Sequence, residues 1–137
     1  LRIEEKAGLG SFDVYSEFAG RVFEHREKLV EFLNNLKTRD QLVLGYGAST
    51  KGNVILQFCG LSTDHLPCIA EVNEEKVGCF TPGTNIPIVS ESTAHQMKPG
   101  YLLVLPWHFK NHLLKREASY LKNGGKMIFP LPEIEVI

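Results

Sequence analysis

The residues with the most chemical potential run Gly45-Tyr46-Gly47-Ala48-Ser49-Thr50-Lys51-Gly52. Glycines permit a tight turn and a close backbone approach to a ligand, and two hydroxyls and an ammonium follow them. Leu42-Val43-Leu44 before the turn reads as a buried parallel strand. Val54, Ile55, Phe58 and Cys59 after it mark one face of a helix, with Gly60 placed to end it. A strand, a glycine turn and a helix start make a cradle for an anion, where free N–H groups meet the positive end of a helix dipole. The spacing Gly45-x-Gly47-x-x-x-x-Gly52 is neither the dinucleotide fingerprint nor the P-loop, because Lys51 precedes the last glycine. A purely structural turn would use the same residues, so both readings stand.

Two further groups extend the candidate site. Glu71 closes a second apolar run, Leu66 to Ala70, where dinucleotide folds hold a ribose hydroxyl; a solvated loop carboxylate is the alternative. Asn73 and Lys76 continue that loop. The run Tyr101 to Leu105 empties into Pro106-Trp107-His108-Phe109, where Trp107 reads as a platform for a ring or as a plug in a core or interface. His108 and His112 have helical spacing, but Phe109 stands where a zinc-protease motif needs Glu, so no metal ligand is assigned. With no nucleophile elbow and no Ser-His-Asp or Cys-His set, no catalytic residue is assigned either.

The elements that must position these groups follow from periodicity. A long helix is predicted from Tyr15 to Lys37, capped by Ser11 or Asp13, with an apolar stripe through Tyr15, Phe18, Ala19, Val22, Leu29, Leu33 and Leu36. His25 and Arg26 interrupt the stripe, and His25 reads as a surface or interface residue. Leu1 to Gly10 reads as a connector, so residues 1–14 are taken as a linker from a preceding domain and 15–137 as one domain. Further strands are expected around Ile86 and Ile88, at Lys126 to Phe129, and at an edge through Ile134 and Val136. Helices are expected from Ser90 to near Lys98 and from Phe109 through Leu121 to a stop at Asn123-Gly124-Gly125. Strands alternating with helices give the α/β class: a Rossmann-like three-layer α/β/α fold with a mostly parallel sheet and a long N-terminal helix.

Composition agrees with one soluble domain of 137 residues, 43% hydrophobic and 23% charged. A net charge of −1 gives no footprint for nucleic acid or a membrane surface. No apolar run is long enough to span a bilayer, and the N-terminus is not a signal peptide. Three cysteines without a C-x-x-C pair read as reduced residues of a cytoplasmic protein. The start at Leu1 reads as a fragment of something longer.

Taken together, GYGASTKGN, the Glu71-x-Asn73-x-x-Lys76 pattern, PGTNIPI, LPWHF and GGKMIFPLP resemble one family. It is the C-terminal domain of the S-adenosylmethionine-dependent sugar C-methyltransferases, three-domain enzymes that methylate deoxysugar nucleotides. The resemblance implies a Rossmann-like domain without catalytic residues of its own, which holds a nucleotide-linked sugar against a neighbouring domain of the same chain. That neighbour would bind S-adenosylmethionine and supply the base, and a further domain would hold zinc; no cofactor is implied for the present domain. Carried over by motif, the substrate contacts are Gly45, Tyr46, Gly47, Ala48, Ser49, Lys51, Gly52, Asn73, Lys76, Trp107, His108 and Phe109, with Glu71 beside them. Two positions depart from the family's usual pattern, Glu71 where Asp is common and His108 where Asn is usual. Two other functions remain open, an NAD(P)-binding domain of an oxidoreductase and a scaffold whose loops bind only a neighbouring domain.

Overall fold

The computed structural model describes residues 2–137. The long helix, α2, spans Phe12–Thr38 after a short helix α1 at Arg2–Lys6. The N-terminal segment is thus not irregular throughout, although α1 buries none of its residues. Ser11 caps α2 by accepting a hydrogen bond from the Asp13 N–H. The strands are β1 (Val43–Tyr46), β2 (Ile69–Glu71), β3 (Ile88–Ser90), β4 (Tyr101–Val104), β5 (Lys126–Phe129) and β6 (Glu135–Val136). The helices between them are α3 (Thr50–Phe58), α4 (Glu91–Gln96), α5 (Lys110–Arg116) and α6 (Ala118–Lys122). The sheet order is β3-β2-β1-β4-β5-β6, parallel through β5 with an antiparallel edge at β6. This is the doubly wound order, in which the chain reverses direction across the sheet between β1 and β4.

Alternation along the strands divides the interior into two layers. Val43, Ile69, Leu103 and Ile128 face α2 and α3, packing with Leu29, Leu33, Leu36, Ile55 and Leu56. Leu44, Tyr46, Ala70, Leu102, Val104, Met127 and Phe129 face the other way, toward Ala94 of α4 and Leu113 of α5. The α/β/α architecture is therefore observed, with β1 near its centre.

Three details differ from the periodicity. Only the last part of the α2 stripe is buried, through Leu29, Leu33 and Leu36, while Tyr15 is 54% and Phe18 58% exposed. The sheet is too short to cover the first turns of so long a helix. On α3 the core takes Ile55 and Leu56, leaving Val54 and Phe58 exposed. Phe58 instead meets the Phe23 ring of α2, with the Arg26 guanidinium over both. Finally, the helix expected after Phe109 is divided: a 3₁₀ turn at Trp107–Phe109 leads into α5, and α6 restarts after Glu117.

Candidate functional site at the strand switch point

β1 and β4 lie side by side, with Tyr46 opposite Val104, and their loops leave to opposite faces of the sheet. A crevice of about 210 Å³ opens there, walled by the glycine turn, Glu71, Lys76, Pro106, Glu91 and Arg116. The glycines are set by space. A Cβ on Gly45 would stand 2.7 Å from Ile69 Cγ1 in the next strand, and one on Gly52 would stand 2.5 Å from Leu105 Cβ. Gly47 combines a φ of +79° with contact to Pro106, whose Cγ would lie 2.7 Å from an added Cβ. The glycine turn and the loop after β4 therefore touch, and this contact forms one wall of the crevice.

Glu71 lies within the backbone of this turn. Its Oε2 accepts from the Ala48 N–H at 2.8 Å, and its Oε1 accepts from the Val72 and Asn73 N–H groups at 2.8 and 3.0 Å. Lys76 Nζ lies 3.6 Å from the same carboxylate and donates to the Ala48 carbonyl at 2.8 Å. At 7% exposure, Glu71 is a brace between the β1 and β2 loops, not a solvated loop carboxylate. Ser49 caps α3 by accepting from the Gly52 N–H at 3.0 Å. The helix geometry leaves the Thr50 and Lys51 N–H groups without intrahelical acceptors at the mouth of the turn. The PGTN turn of the next loop is a second brace: Thr81 accepts from the Ile86 N–H, and Gln57 of α3 donates to the Pro82 carbonyl.

Behind the glycine turn lies a polar network. The Tyr46 hydroxyl donates to Glu117 Oε1 at 2.6 Å, and His95 Nε2 lies 3.2 Å from Glu117 Oε2. Glu117 is buried because the break between α5 and α6 turns it inward. Burial, then the hydrogen bond to Glu117, holds the Tyr46 hydroxyl protonated far above the ordinary tyrosine range, and Glu91 adds to the effect. Burial likewise pushes Tyr120 up to about 12. His95, Glu117 and Tyr120 belong to a groove of about 850 Å³, which Glu91 and Arg116 also line. Those two residues pair at 2.6 Å where the groove meets the crevice.

Tyr46→Phe is expected to cost about 1–3 kcal/mol by leaving Oε1 of the buried Glu117 carboxylate without its donor. The unfolded tyrosine ionises near 10.0 while the folded one keeps its proton, so this group favours unfolding as pH rises past 10. Urea unfolding between pH 8 and 11 should show a shallower alkaline loss in the variant. Parallel curves would refute the burial argument.

Comparison with known sequences decides the family. The family described as C-methyltransferase C-terminal domain matches residues 1–132. The chain is also 34% identical over 137 residues to the C-methyltransferase NovU of Streptomyces niveus, covering 100% of this chain and 33% of that protein. This chain belongs to the C-methyltransferase C-terminal domain family. It spans about a third of the length of that curated relative.

In this family domain the structure gathers Tyr46, Gly47, Ala48, Ser49, Glu71 and Lys76 around the crevice. Gly45 and Gly52 are buried in the packing beneath it. Lys51 stands exposed on the first turn of α3. Asn73 is exposed, with its side-chain carbonyl accepting from the Glu75 N–H. Trp107 is half-buried against both cores, while His108 and Phe109 are exposed beside it, their rings 4.2 Å apart. Sequence reasoning missed Glu91, Arg116 and Glu117. Arg116 looked like an ordinary polar position of a helix, and Glu117 became inward-facing only through the helix break.

Proposed function

We propose that this is a substrate-binding, non-catalytic domain of an S-adenosylmethionine-dependent C-methyltransferase acting on a nucleotide-linked sugar or similar small molecule. The observation that carries the reading is the crevice at the strand switch point, in a chain of this family. Its backbone is fixed before a ligand arrives, because Glu71, Lys76 and Ser49 already tie the turn in place. The role is positioning: holding the diphosphate and sugar still for chemistry performed by groups of another domain. Lys51 offsets phosphate charge at the mouth, while the free first-turn amides of α3 donate to it. Gly45 and Gly52 act by letting the strand and helix close up, and Asn73, Trp107, His108 and Phe109, which stand outside the crevice lining, would meet parts of the ligand that extend beyond it.

S-adenosylmethionine and zinc belong, in this reading, to the two-thirds of the relative's length that this chain does not cover. Residues 1–14 would link to that portion, and the exposed aromatic face of α2, with Phe12, Tyr15 and Phe18, supports docking of the S-adenosylmethionine-binding domain there. Free thiols at Cys59, Cys68 and Cys79 fit a reducing, cytoplasmic setting. An NAD(P)-binding reading draws on the sheet order, but Glu71, which would hold the ribose, is already occupied by three backbone N–H groups.

Calorimetric titration of the intact protein with a thymidine diphosphate sugar, with NADH in parallel, tests the reading. The sugar nucleotide should bind and NADH should not; the reverse result would transfer the site to the oxidoreductase class. Lys51→Ala should weaken the sugar nucleotide by roughly threefold to tenfold, the scale of one exposed charge-assisted contact. Unchanged affinity would remove Lys51 from the site.

A further inference from the structure

The crevice contains two cations, and the geometry distinguishes them. Lys76 is committed to the Ala48 carbonyl and stands beside a Glu71 that is itself fixed by three backbone donors. Removing Lys76 from that position would disturb the turn that forms the site. Arg116 is different. Its partner Glu91 has no such backbone brace, and both side chains retain solvent access, at 37% and 21% exposure. Arg116 sits at the end of α5, and its side-chain hydrogen bond goes to Glu91 and not to β1, β2 or the glycine turn.

Size points the same way. The crevice alone holds about 210 Å³, below the roughly 300–1,000 Å³ of small-molecule sites, whereas the adjoining groove holds about 850 Å³. Glu91 and Arg116 line both spaces, and their ion pair stands between them. A guanidinium offers a planar fork of donors that fits two phosphate oxygens at once, and a ligand dianion is a stronger partner for it than one carboxylate.

We propose that Arg116 is a further phosphate-binding residue, inside the crevice where Lys51 stands at its mouth, paired with Glu91 in the structure and transferred to the ligand diphosphate on binding. The inference rests on the function proposed above and names a further group that recognises the anionic part of its substrate. Glu91 competes with the ligand for the fork, so it sets affinity by opposing it. The transfer also joins crevice and groove, where His95, Glu117 and Tyr120 would face the remainder of the molecule.

The test is calorimetric titration of the intact protein with thymidine diphosphate, in wild type, Arg116→Gln, Arg116→Lys and Glu91→Gln. Arg116→Gln should weaken binding by roughly tenfold or more, the scale of a charge-assisted bidentate contact, and Arg116→Lys should recover part of the loss. Glu91→Gln should tighten binding several-fold, a direction that structural damage would not produce. Wild-type binding that is indifferent to Arg116→Gln, or an unchanged or weakened Glu91→Gln protein, would overturn the assignment while leaving the function standing. No wild-type binding to either thymidine diphosphate or its sugar conjugate would overturn both.

Discussion

Glu71→Ala is expected to destabilise this domain by about 2–5 kcal/mol, among the largest single-residue effects outside the apolar core. The substitution removes one acceptor group that serves three backbone donors, on Ala48, Val72 and Asn73. An orphaned buried donor costs about 1–3 kcal/mol, but Val72 and Asn73 lie on an exposed loop and regain water, so the sum falls short of three full penalties. The Ala48 N–H sits within the turn, and its loss weighs most. Lys76 would also keep its bond to the Ala48 carbonyl without the carboxylate that balances its charge. Glu71→Gln should lie between: the amide oxygen can still accept from Val72 and Asn73, while the amide nitrogen meets the Ala48 N–H as donor against donor. Urea unfolding measures the series. An alanine variant within about 0.5 kcal/mol of wild type, the range of an ordinary surface change, would show that the carboxylate is not a brace.

The same residue shows how far sequence reasoning reaches. Glu71 at the end of a strand was visible, and so was its place beside the glycine turn, because both depend on local pattern. Whether its carboxylate faces a ligand or its own backbone depends on the path of two loops that meet only in the folded sheet. That β1, β4 and β5 are buried strands was equally legible, since an apolar run is a local property, whereas the division of their side chains between two cores is seen only in the fold. The exposed half of α2 was not, because an amphipathic stripe records what a helix can bury and the sheet's length decides how much it does. Glu117 was invisible for a related reason: an apolar pattern carried one helix through it, whereas the break between α5 and α6 turns it toward Tyr46. Arg116 and Glu91 lie on separate helices, so their meeting at the switch point is a tertiary fact with no signature in either segment.

Gly47→Ala should cost about 2–4 kcal/mol, in contrast to about 1 kcal/mol for Gly60→Ala. Both glycines have left-handed backbones, with φ of +79° and +62°, so the conformational penalty of a side chain is similar at each. Their surroundings differ. A Cβ at Gly60 meets nothing within 4 Å, whereas one at Gly47 would press to 2.7 Å from Pro106 Cγ and 2.8 Å from Cδ. The Pro106 ring is rigid and cannot swing aside as a flexible side chain would. Relief requires the glycine turn and the loop after β4 to separate, which would widen the crevice and draw the α3 amides away from it. Gly47→Ala should therefore lose thymidine diphosphate affinity as well as stability, while Gly60→Ala loses stability alone. Pro106→Ala in the same chain should restore part of the Gly47→Ala deficit, giving a favourable coupling of about 1 kcal/mol in the double-mutant cycle. Additive effects would mean that the two loops do not bear on one another, and the crevice would then owe its shape to Glu71 alone.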